Sequence, residues 1–425
     1  MQGSERPLRR IGPSALFLLV LINLFNYMDR QVLAAVEPDI RATFFSPNDP
    51  NAMTKTGWLG SAFFLTYMCS APLLGLIADR VSRWIIVGSA VILWSLATGC
   101  SGLAATFGVL FATRICVGIG EGGYGPAAPT ILADLFPIEK RGRIMAIFCA
   151  AIPVGSALGY VVGGLVGAHI GWRWAFYMLA PPGILLGLLC FWQRDPRVSA
   201  HHLVQKYPRR TLSDYLNLFR TRSYLINCAA QTLMTFAAGG LGYWMSAYLI
   251  YRNQDPAAAL LIFGLIVVAA GLSSTLLGGF AADKLRPRFP GSDFWVSGIG
   301  MLVACPIFII TLYLPFPAAW ISMFVAIFFL FLNTGPSTTA LANVSLPLVR
   351  ATAFAVNILI IHLFGDVQAF WILGYVGGHA NMNTAFLLVS AVIFASGLVW
   401  IYGVKYLPAD MTAVEAATMP TTTKT

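Results

Sequence analysis

Long stretches of mostly apolar residues recur from one end of this chain to the other, and that recurrence limits the fold severely. A helix needs about 20 apolar residues to cross the hydrocarbon of a bilayer. Within that layer the backbone must satisfy its own hydrogen bonds, which a helix does segment by segment. Hydropathy places twelve such spans, at about 14–36, 57–78, 84–103, 107–134, 143–168, 173–193, 223–250, 257–282, 293–314, 319–345, 351–376 and 382–407. The tightest joins fall at Trp84 and Phe107. Only 10% of the 425 residues are charged, against about 25% in a soluble domain, so too few are present to cover a water-facing surface. The expected fold is an all-α membrane protein with twelve transmembrane helices in two pseudo-symmetric six-helix bundles.

The net charge of +10 would suggest nucleic acid as a partner in a soluble protein. Here the basic residues sort by side instead. With the N-terminus placed in the cytoplasm, the inner segments hold 21 Lys and Arg and the outer segments four, namely Arg41, Lys55, Arg173 and Arg252. Arg30 and Arg114 lie within spans. This asymmetry follows the positive-inside rule, so both termini are expected in the cytoplasm of a multi-pass plasma (inner) membrane protein, with the lipid bilayer and not nucleic acid as its surroundings. Arg6, Arg9 and Arg10 precede an apolar run long enough to span and without a small-residue cleavage pattern, which reads as the first helix and not as a cleaved signal. The seven cysteines are scattered singly through apolar stretches, without a CxxC pair. They read as small buried hydrophobes, and neither a metal nor another cofactor is expected.

The longest polar interval follows the sixth span. It divides the chain into an N-terminal bundle (1–193), a cytoplasmic interdomain linker (194–222), a C-terminal bundle (223–407) and a cytoplasmic tail (408–425). The tail is rich in Thr and Ala and is expected to be disordered. The two halves resemble each other. Gly75-Leu-Ile-Ala-Asp79-Arg80 follows the second span, with Arg83 just beyond, and Gly279-Phe-Ala-Ala-Asp283-Lys284 follows the eighth, with Arg288 beyond. Gly125-Pro126 and Pro137 match Gly335-Pro336 and Pro347 at one constant offset, and Gly163-Gly164 corresponds to Gly377-Gly378.

Few ionisable groups lie deep in the spans: Asp29 and Arg30 in span one, Arg114 and Glu121 in span four, His362 and Asp366 in span eleven. A mid-bilayer charge costs at least about 2.5–3.5 kcal/mol, so such groups must pair, face water or be neutral. Arg114 and Glu121 are two helical turns apart and share a face, and His362 and Asp366, four apart, share another. Counting from the helix ends puts Asp29, Arg30 and Glu121 at comparable depth. Two readings stand. In one, the four N-terminal charges form a structural ion-pair cluster. In the other, they are a proton site with an anion clamp. A carboxylate in a dry cavity holds a proton more tightly and an arginine beside it loosens that hold, so exchanging those surroundings would bind and release a proton. The planar fork of arginine suits phosphate or carboxylate. Asn23, Asn26, Asn227, Gln231, Asn333 and Asn357 are polar enough to line a cavity, and interhelical hydrogen bonding explains them equally well. For Phe236, Tyr243 and Trp244, packing competes with binding in the same way.

Parallel six-helix repeats with a substrate site between them are the organisation of the major facilitator superfamily, and the Gly-x-x-x-Asp-Arg/Lys loops resemble its loop signature. The resemblance implies gating residues at Gly75, Asp79, Arg80, Arg83, Asp283 and Lys284, with Asp79 facing the start of span eleven and Asp283 the start of span five, where a helix dipole favours an anion. Ser82 replaces the usual glycine of that motif. More closely, Asn26-Tyr-Met-Asp29-Arg30, Arg114-x3-Gly118-x-Gly120-Glu121 continuing through Tyr124, Leu241-Gly-Tyr243-Trp244 and His362-Leu-Phe-Gly-Asp366 resemble the Spinster family. The first two motifs also occur in organic-anion symporters of the superfamily.

The Spinster resemblance implies a proton-linked secondary transporter of lysophospholipid or sphingolipid-like amphiphiles. Asp29 and Glu121 would couple protons, while Arg30, Arg114, Asn26, Tyr243, Trp244, His362 and Asp366 would serve the substrate. The expected partners are a small amphiphilic substrate and protons, with the chain acting as a monomer of prokaryotic type. The competing reading is a proton symporter for a small organic anion or sugar acid. Enzyme activity is not expected, because neither a paired metal-ligand motif nor a nucleophile elbow is present.

Overall fold

The computed structural model describes residues 5–78, 80–195, 218–346 and 349–418, nearly all of them helical. In the first half these are α1 (Glu5–Ala35), a short α2 (Glu37–Phe44), α3 (Ala52–Ala78), α4 (Arg83–Gly102), α5 (Phe107–Leu135), α6 (Ile138–His169) and α7 (Trp172–Cys190). In the second they are α8 (Arg222–Tyr251), α9 (Pro256–Leu285), α10 (Ser292–Tyr313), α11 (Ala318–Phe331), α12 (Thr334–Asn343), α13 (Arg350–Ile361), a π-helical turn (His362–Asp366), α14 (Val367–His379), α15 (Met382–Gly403) and α16 (Leu407–Thr418).

Among the described residues, eleven helical segments are long and apolar enough to cross a membrane, with α11–α12 and α13–α14 each counting as one. The twelfth expected span is α5, whose 29 residues extend about 44 Å at 1.5 Å per residue. It is long enough but less apolar, because Arg114, Glu121 and a run of glycines replace hydrocarbon along it. Its start is fixed by Thr106, whose hydroxyl accepts the Val109 N–H at 3.3 Å.

Two compact units divide the chain. One gathers described residues 5–195 with Gly242–Val268 and Phe370–Met382, the ends of α8, α9 and α14 that lie on the side poor in Lys and Arg. Within it α1 packs on α6, α3 on α5, and α4 on both α5 and α7. Leu19, Ile22, Trp84, Val87, Trp94, Tyr124 and Phe148 form the middle of its core. Lipid tails are as apolar as leucine, so close packing and hydrogen bonds hold such a bundle together. Tyr124 donates its hydroxyl to the Leu19 carbonyl (3.0 Å), and the Asn23 amide donates to Phe148 O (2.9 Å). Three further bonds join the second-half segments to α1, α3 and α6 at the basic-poor side: Tyr243 to Thr56 O (2.6 Å), Ser246 to Ala35 O (2.7 Å) and Tyr160 to Gly242 O (2.8 Å).

The other unit holds the described residues of 218–241, Ala269–Ala369 and 383–418. Its polar residues tie helices together: Asn227 donates to Ser337 O (3.0 Å) and accepts from Trp400 (3.0 Å), and Asn357 donates to Gln231 (2.7 Å). The expected tenth span is broken at Leu332 and Asn333, where the Asn333 amide turns back to Leu330 O and Pro336 enters the first turn of α12. The expectation of a disordered tail is corrected over Leu407–Thr418. This segment is helical, and the Asp410 carboxylate accepts the Ser223 N–H (2.8 Å) at the start of α8. An alanine-rich run with an anchoring first-turn acid forms a helix despite its threonines. The linker lies outside the described residues over 196–217, as does Pro347.

Candidate functional site

The four N-terminal charges pair crosswise between α1 and α5. Arg30 bonds Glu121 through both Nε (2.8 Å) and Nη2 (2.7 Å), and Arg114 Nη1 stands 3.6 Å from Asp29 Oδ1. Arg114 and Glu121 share a face of α5, as their spacing requires, yet each takes its partner from α1. The G-x-G-E motif explains how the helices come close enough. A side chain on Gly118 would run into Thr66 and the Phe63 carbonyl of α3, and one on Gly120 would meet Trp94 of α4. Two glycines on opposed faces thus let α5 sit tightly between its neighbours and bring Glu121 to Arg30.

The two pairs are not equivalent. Arg114 and Asp29 are each about 2% exposed and enclosed by hydroxyls: Thr98 donates to Asp29, Arg114 donates to Ser101, and Ser101 donates to Thr113 at 2.8 Å. The second guanidinium is different. Its Arg30 side chain keeps 16% exposure while Glu121 is closed off. The rings of Tyr27, Phe63, Phe64 and Tyr67 surround it with centroids 4.9–5.5 Å away, close enough for cation–π attraction. Asn26 is buried against Glu121. The arrangement is therefore a partly open cation in an aromatic box, backed by a buried carboxylate.

Sequence reasoning found the charges but not their surroundings. Tyr27 lies one helical turn before Arg30 within a motif already quoted, so it was within reach. Phe63, Phe64 and Tyr67 are ordinary apolar-span residues, and Thr98 and Ser101 belong to a span without charges. Nothing local marks them.

Of the remaining candidates, His362 and Asp366 meet at 2.5 Å across the π-helical turn. Asp366 occupies the place a side chain on Gly239 would take, so α8 presents bare backbone there. π-Helical turns inside α-helices frequently accompany function. Tyr243 and Trp244 are buried. The first uses its hydroxyl on Thr56 O, and the second gives its indole N–H to Phe370 O (2.9 Å), so in this structure both close the basic-poor side and do not line an open surface.

In the loop motifs, Asp79 lies outside the described residues, Gly75 sits in the last turn of α3 and Arg80 is exposed. Arg83, counted with the gating loop, is 4% exposed and clamps three elements. It bonds Asp195 (2.9 Å), Asp134 (2.7 Å) and Thr130 (3.1 Å), tying the start of α4 to the end of α5 and the chain beyond α7. Asp283 is largely exposed and pairs with Arg286 (3.0 Å), which also holds buried Asp293 (2.8 Å); Lys284 lies 5.9 Å from the Phe280 ring.

A sequence model of the Major Facilitator Superfamily matches residues 19–368. Protein spinster of Drosophila melanogaster is 34% identical over 388 residues, 86% of this chain and 62% of that protein, so this chain spans under two thirds of its length. The sphingosine-1-phosphate transporter SPNS2 of Xenopus tropicalis is 32% identical over 398 residues, covering 88% of this chain and 76% of that one. The crystal structure of a bacterial homolog to the human lysosomal transporter Spinster, inward-facing and unoccupied, superposes with a TM-score of 0.77. That match covers 99% of this chain and all of the other at 22% identity, a likeness of fold.

Proposed function

The chain belongs to the Spinster family of the major facilitator superfamily, a family of transporters and not of enzymes, and from that premise we propose that it is a proton-coupled carrier of a lipid amphiphile with an anionic head. The observation that carries this reading is the Arg30–Glu121 pair inside its aromatic box. While Glu121 is ionised it occupies the guanidinium fork. A proton on Glu121 removes the negative charge that held Arg30, and the fork becomes available to a phosphate or carboxylate in two-pronged geometry. The rings that flank the guanidinium then offer apolar contact to the first carbons of the chain. Head-group binding and protonation of Glu121 favour each other, which is what coupled transport in one direction requires.

Asp29, held by Thr98 and Arg114, is the second proton-coupling carboxylate in this reading, with Arg114 as its local counter-charge. His362 and Asp366 form a further polar pair for the substrate path, and the repeated loops around Asp79 and Asp283, with Gly75, Arg80, Arg83 and Lys284, govern the gates as the halves alternate. The basic-rich side faces the cytoplasm, as the distribution of Lys and Arg argues, and the carrier is placed in the plasma membrane. The relative named as a sphingosine-1-phosphate transporter supports an anionic amphiphile as cargo.

Uptake of labelled lysophospholipid into proteoliposomes under an imposed pH gradient, side by side with a labelled sugar acid, tests the proposal. Lysolipid accumulation that collapses with the gradient is expected. Uptake of the sugar acid alone would replace the lipid by a small organic anion as substrate.

A further inference from the structure

At the basic-poor side, α1 gives way to α2 at a glutamate that the Asp29–Glu121 set does not include. Glu37 is 1% exposed although it opens a short helix at the end of a span. Its Oε1 accepts the Thr56 hydroxyl of α3 at 2.6 Å, and Arg41 Nε stands 3.4 Å from the same oxygen. Oε2 is buried and has no hydrogen-bond partner. An ionised carboxylate with one oxygen undonated in a dry pocket costs far more than a neutral acid there.

The pocket is closed by the second half of the chain. Thr56, whose hydroxyl holds Glu37, accepts the Tyr243 hydroxyl of α8 on its carbonyl, and Ser246 of α8 donates to Ala35 O, two residues before Glu37. Glu37 therefore lies directly behind the contacts that must break if the outer side is to open.

We propose that Glu37 is a further proton-binding site of this transporter, beyond Asp29 and Glu121, occupied while the outer ends of α8 are packed on α1 and α3 and emptied into the outer solution when they part. The proposal rests on the alternating-access reading given above. In the closed arrangement the proton forms an O–H bond with Oε2. Separation of Tyr243 from Thr56 admits water, the carboxylate ionises against hydration and Arg41, and the proton leaves to water on the outer side. The charged and titratable groups facing Glu37 are Arg41 and Asp39 on α2 and Tyr243 from α8; Thr56 adds a neutral donor from α3. Burial raises the pKa of Glu37 against the opposing pull of Arg41 and Thr56. Protonation therefore stabilises closure fully below the ordinary glutamate value of 4.5, and that stabilisation is lost as pH climbs through the raised value.

The test is a pH series of spin-label distances between Asn48→Cys and Tyr251→Cys, in full-length protein whose native cysteines are replaced and which carries Asp29→Asn and Glu121→Gln. With those two carboxylates removed and no substrate added, the outer distance should still lengthen as pH rises. Adding Glu37→Gln should hold the short distance at every pH. Arg41→Gln, at a partly exposed position, removes a cation that favours the ionised form and should move the midpoint to higher pH. A distance that ignores pH while Glu37 is present, an unchanged response in Glu37→Gln, or a midpoint that stays or falls in Arg41→Gln would each overturn the assignment. Failure of lysolipid uptake by the unmodified protein would sink the proposed substrate while leaving this measurement standing.

Discussion

At Arg30 a cation, four aromatic faces and a carboxylate converge on one side chain, and the effects of substitution there separate the roles. Arg30→Lys keeps the charge but loses the planar fork and most of its stacking on the rings. Lysolipid uptake should fall at least tenfold while the protein remains monodisperse; near-normal uptake would show that a point charge suffices. Asp29→Asn and Glu121→Gln should each abolish pH-driven uptake and leave folding intact, and a normal pH dependence in both would remove them from the coupling. Arg83→Ala acts on stability instead. It removes the contacts to Asp195, Asp134 and Thr130 that tie the start of α4 to α5 and to the chain beyond α7, so thermal unfolding in detergent should shift down clearly. The deep charges were legible in the sequence because their cost in hydrocarbon demands an explanation. Their crosswise partners, the hydroxyls of Thr98 and Ser101, the aromatic box and Glu37 were not, since each depends on which helix faces come to be neighbours.

Among the elements, those with uninterrupted apolar runs were readable and those with local irregularities were not. Hydropathy places α5 among the spans, although with Arg114, Glu121 and its glycines it is not one of the eleven segments apolar enough to cross by composition. The π-helical turn at His362–Asp366 left no periodicity signal, because one extra residue in a turn is invisible in a five-residue window. Its fit against α8 depends on the missing side chain at Gly239. Gly239→Val should therefore displace Asp366 and lower both uptake and thermal stability, and a variant with unaltered stability would contradict that packing. The helical tail shows the opposite failure: composition suggested disorder, whereas Asp410 anchors the helix to the start of α8. Asp410→Ala should release α16 and raise amide exchange over 407–418 without changing the exchange of α4 or α5.

Across the whole molecule, the twelve spans and their direction are legible in hydropathy and the basic asymmetry, because both follow from the bilayer as solvent, and the duplicated loops mark the repeat. What lay beyond sequence was the composition of the compact units. The basic-poor ends of α8, α9 and α14 group with the first half, α8 through the Tyr243, Ser246 and Tyr160 hydroxyls bonded to backbone carbonyls, bonds that hydropathy cannot register. In the proposed cycle, Arg30 is free for an anionic head only when Glu121 carries a proton. The most direct test adds lysophosphatidic acid to detergent-solubilised protein in weakly buffered solution and follows the bulk pH. Proton uptake on binding, lost in Glu121→Gln while lipid binding persists, is the predicted result; binding by the unmodified protein with no proton taken up would contradict it.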